Sequence, residues 1–102
     1  MEIQERIRRM EACLRQADAV LTHLEKALRD YEDAQDAIRA LDAYYASPDW
    51  LHDWDCDQAG ELPEDLPRGV LSEDGIFLLL EREQELLAQM RKLSSSEESA
   101  EE

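Results

Sequence analysis

The chain has 102 residues, with 26 acids against 11 bases and a formal net charge of −15. That length holds one domain, and a surface this acidic is repelled by phosphate backbones and anionic lipid, which argues against direct nucleic-acid binding and membrane attachment. Two cysteines make no disulfide framework, no apolar run follows Met1, and none is long enough to span a bilayer. A cytoplasmic location with reduced thiols is therefore expected.

Residues 2–46 contain neither glycine nor proline. Ile3, Ile7, Met10, Leu14, Ala17, Leu21, Leu24, Leu28 and Tyr31 recur in alternating steps of four and three, the mark of one buried helix face. Glu2–Arg6, Glu5–Arg9, Glu11–Arg15 and Glu25–Arg29 place an acid one turn before a base on the other faces, the favourable order on a helix. Past Tyr31 one seam position stays apolar (Ile38, Tyr45), while the other becomes Gln35 and Asp42 and is replaced one residue earlier by Ala34 and Leu41. The apolar stripe thus rotates near residue 31, through a continuous helix or a bend at Asp30–Asp33. A straight helix of this length, about 66 Å at 1.5 Å per residue, leaves its stripe uncovered unless the chain kinks or a second copy covers it. A homodimer through this helix is one of those two solutions.

Ser47-Pro48-Asp49 is a helix start: Ser as N-cap, Pro in the first turn, an acid at the positive end. It predicts a short helix to about Asp55, ended or turned by Gly60. Pro63 and Pro67 bracket a further turn, and Gly69 is expected to occupy a position needing positive φ. Ser72 is expected to cap a last helix, with Glu73 and Asp74 in its first turn. Ile76, Leu79, Leu80, Leu87, Met90 and Leu93 follow at helical spacing, with Phe77 and Leu78 on the remaining sides. An all-round apolar turn at residues 76–80 predicts the centre of the core there. Residues 94–102 hold no large apolar side chain and are expected to form a disordered acidic tail to a domain spanning 1–93. The fold expected is all-α: a long N-terminal helix, a short helix with an ordered loop, and a C-terminal helix packed back antiparallel as a small helical bundle.

The middle of the chain carries the candidate chemistry. Residues 47–71 hold seven acids and one base, whereas residues 1–46 hold ten and seven. Asp53, Asp55, Asp57 and Glu64 match four positions of a calcium loop, but Gln58 stands where that loop needs glycine and Pro63 near its end. Capping and solvated acids are the better account. His52 and Cys56, one turn apart, supply two of the three or four ligands a zinc site needs. No nucleophile–base pair and no phosphate-cradling glycine loop is present. No cofactor, metal or catalytic residue is therefore assigned, and a non-enzymatic protein is expected. Arg68, the only base between Arg39 and Arg82, is expected to clamp the loop through Asp53, Asp57 or Asp74. Trp50 and Leu51 are expected inside; Trp54, between acids, is expected outside, with His52, Asp55 and Glu61 as a contact surface.

The pattern Tyr44-Tyr45, Ser47, Trp50, Asp53, Asp57, Gly60, Leu62-Pro63, Leu66 and Arg68-Gly69-Val70-Leu71-Ser72-Glu73-Asp74 resembles a small bacterial family known as domain of unknown function 4298. The resemblance implies a bacterial, cytoplasmic, stand-alone helical domain and assigns no catalytic residue. The function expected is a non-catalytic protein-interaction or regulatory module with a protein partner. The alternative is an acidic mimic of nucleic acid that blocks a DNA- or RNA-binding protein.

Overall fold

A computed structural model describes the backbone of residues 2–101 and the side chains of residues 2–96. Three helices account for most of it: α1 (Ile3–Tyr45), α2 (Pro48–Gln58) and α3 (Gly75–Glu101), with a one-turn 3-10 helix at Gly69–Leu71 and no strand among the described residues. No helix is long and apolar enough to cross a membrane. α3 reaches Glu101, and the side chains beyond Ser96, most of the expected acidic tail, lie outside the described residues.

The chain forms two compact units, Met1–Asp36 and Ala37–Glu102. The first is helix from Ile3 onward, and α1 continues through residue 31 without a break, as the lack of glycine and proline favours. Its apolar seam is not buried. Ile3, Ile7, Met10, Leu14, Leu21, Leu24 and Leu28 are between 44% and 62% exposed.

The second unit begins with the last turns of α1. Here Ile38, Leu41, Tyr44 and Tyr45 are half-buried, the rotated stripe that the sequence shows past Tyr31. Within this unit the last turns of α1 pack against α3, with Leu41 lining the cleft that Ile76 and Leu79 also line. α1 stops at Tyr45 because the residue before a proline is pushed out of the helical region. Ser47 is extended (φ −90°, ψ 158°), and its hydroxyl donates back to the carbonyl of Tyr44 at 2.6 Å and accepts from no cap amide. Pro48 then opens α2.

The core is small. Leu71 and Ile76 are the buried apolar side chains among the described residues. Ile76 meets the core expectation for residues 76–80, with Leu79 and Leu80 half-buried, but Phe77 and Leu78 are more than half exposed. The inward face follows the helical period through Ile76, Leu79, Leu80, Glu83 and Leu87, so Phe77 and Leu78 fall on the opposite side.

Candidate functional site

The polar groups of the second unit converge on the loop between α2 and α3. α2 turns one face inward: Trp50, Asp53, Trp54 and Asp57, spaced three and four apart, are half-buried together with Cys56. Leu51, His52, Asp55 and Gln58 point outward. This reverses two expectations. Trp54 leans inward because it lies one turn after Trp50, and Leu51 is 55% exposed because it shares its face with Asp55.

Four tethers hold the loop. Tyr44 donates its phenol proton to Asp53 Oδ2 at 2.6 Å, joining the end of α1 to α2. That bond, with burial and the charges of Asp53 and Asp49, pushes the Tyr44 hydroxyl up to about 12. Trp50 Nε1 donates to the carbonyl of Val70 at 2.8 Å, and the Trp50 ring meets Tyr45 edge-on with centroids 5.0 Å apart. Arg68 makes the last two. Its Nη1 lies 2.5 Å from Asp57 Oδ1 and its Nη2 donates to the carbonyl of Pro63 at 2.7 Å. Of the two candidate acids that α2 turns inward, Asp53 is engaged by Tyr44 and Asp57 is the one that Arg68 meets.

Glycine and serine act differently from their expected roles. Gly60 alone has positive φ (72°), where it receives the chain leaving α2 and donates its amide to the carbonyl of Asp57. Gly69 does not, because it opens the 3-10 turn in ordinary right-handed geometry. Ser72 closes that turn, its hydroxyl and amide both donating to the Gly69 carbonyl, and α3 begins three residues later. The glycine that space demands is Gly75. A Cβ there would sit 2.6 Å from the Gly69 carbonyl oxygen and closer still to Ser72 Oγ. Sequence reasoning missed it; the signal was Ser-x-x-Gly directly before an apolar run.

Two clefts flank the tethers. One of about 330 Å³ is apolar and lies among Leu41, Pro67, Val70, Ile76 and Leu79. The other, about 470 Å³, is lined by Tyr44, His52, Asp53 and Cys56 on one side and by Leu62, Leu66 and Leu71 on the other. Cys56 Sγ lies 3.7 Å from His52 Nε2 in this cleft. Burial pushes the Cys56 thiol up, and Glu61, Asp53 and Asp55 push it further, the opposite of what a thiolate nucleophile needs. The Tyr44 hydroxyl likewise holds its proton more tightly than a free phenol. No group of three or more metal-ligating side chains converges among the described residues. Of the calcium-loop acids, Asp53 and Asp57 are already engaged by Tyr44 and Arg68.

Residues 7–93 match the family described as a domain of unknown function (DUF4298). The chain belongs to this family. The match runs across both units, and the residues that make the tethers lie within it. No curated protein and no solved structure matches the chain.

Proposed function

We propose that this protein is a non-catalytic interaction module whose contact surface is the apolar seam of residues 3–28. The observation that carries this reading is that seam: seven large apolar side chains, all on the first four heptads of α1 and all between 44% and 62% exposed. A row of that length left in water favours association with a protein partner. The second unit supports the reading from the other side. Tyr44, Asp53, Asp57 and Arg68 are used on one another, and the thiol and phenol hold their protons more tightly than free groups.

The test is photo-crosslinking in the native cell. A benzophenone amino acid replaces Ala17, on the seam, or Ala19, on the opposite face. The reading expects a defined cross-linked species from position 17 and none from position 19. Equal labelling from the two positions, or none from position 17, overturns it.

A further inference from the structure

The seam has features that specify its occupant. It alternates four and three over 29 residues, from Ile3 to Tyr31. A strict seven-residue repeat of that kind keeps facing only a helix that supercoils alongside it. The occupant must therefore be a helix matching about 42 Å of α1.

The flanks of the seam differ in charge. On one side run Glu11, Asp18, Glu25 and Glu32; on the other run Arg6 and then the uncharged Cys13, Val20, Ala27 and Ala34. Two antiparallel copies would set like flank against like, so that the acidic row met itself. Two parallel copies in register set each acidic row against the other copy's opposite flank. Arg6 then faces Glu11 of the partner subunit, and the reverse pair forms on the far side. Asp18 and Glu25 lie opposite uncharged side chains, so no like charges meet.

We infer that the occupant is a second copy of this chain, paired in parallel and in register through residues 3–31. This rests on the interaction-module reading and adds the partner and its direction. Burying the seam against itself removes the exposed leucines and isoleucines from water in one step, with Ile7, Leu14, Leu21 and Leu28 forming successive layers.

The test uses the full chain. Sedimentation over a wide concentration range should show a monomer–dimer equilibrium. A spin label at Glu5→Cys, in a Cys13→Ser, Cys56→Ser background, should report an interlabel distance below about 25 Å, as expected for neighbouring helices. An antiparallel pair would place the labels more than about 30 Å apart along the axis. Arg6→Glu should weaken the dimer roughly ten-fold by turning two attractions into repulsions, and adding Glu11→Arg should restore it. A monomer at every concentration, a larger oligomer, the long distance, or a failed charge swap each overturns the inference. A monomeric protein that still cross-links to a different protein through position 17 sinks only the second copy; no cross-link from position 17 sinks the module as well.

Discussion

Between Tyr44 and Ile76, the side chains of Tyr44, Trp50, Asp53, Asp57 and Arg68 are tied to partners in the same chain; along residues 3–28, large apolar side chains lie exposed. Both stretches are ordered, for different reasons. The first 43-residue helix needs only the local bonding of good helix formers and paired charges. The loop has little regular structure between Gln58 and Gly75, and its path depends on single contacts. Loss of one contact should therefore be felt strongly in the loop and weakly in the seam.

The largest effect is expected at Gly75. Gly75→Ala drives a methyl group into the Gly69 carbonyl, which is backbone and cannot swing aside, and should cost about 2–3 kcal/mol in urea unfolding followed by tryptophan fluorescence. A loss below the error of that measurement would refute the close approach. Arg68→Met comes next. It strands the mostly buried Asp57 carboxylate and frees the Pro63 carbonyl, for a loss of about 1–3 kcal/mol in the same assay. Arg68→Lys should recover only part, because an ammonium cannot serve both acceptors with a planar fork.

Tyr44→Phe should cost about 1 kcal/mol, the usual net value of such a hydrogen bond. It also carries a pH signature. The phenol's folded value, about 12, lies above its unfolded value near 10. The folded state therefore holds the proton more tightly, its contribution is fully present below about pH 10, and it fades between pH 10 and 12. Ultraviolet titration of the folded protein should show a tyrosinate component with a midpoint near 12 that is absent from Tyr44→Phe. The smallest effect is expected in the seam at concentrations where the chain is monomeric: Leu21→Gln should there leave the tryptophan-reported transition within about 0.5 kcal/mol, since both tryptophans lie in the second unit and Leu21 is 56% exposed in the single chain.

The helices were legible because periodicity and breakers are local signals. The run without glycine or proline gave α1, and Ser47-Pro48 gave the start of α2. The family pattern pointed to the residues of the loop, and the lone base among acids pointed to a clamp. What was not legible depended on three-dimensional neighbours. The sidedness of α2, which takes Trp54 inward and Leu51 outward, follows from which face Asp53 and Asp57 must present to Tyr44 and Arg68. The assignment of glycine roles failed for the same reason. Positive φ and close approach are separate demands, met here by Gly60 and Gly75, and Gly69 meets neither.

The edge-on meeting of Tyr45 and Trp50 has an optical consequence. Two aromatic rings fixed at 75° in an asymmetric setting give a near-ultraviolet circular dichroism signal that depends on their mutual orientation. Helix content is read separately in the far ultraviolet, and in α1 it needs no loop contact. Heating or mild denaturant should therefore extinguish the near-ultraviolet band while much of the far-ultraviolet signal persists. The melting of the loop and the melting of the long helix can be recorded in one cuvette, at two wavelengths.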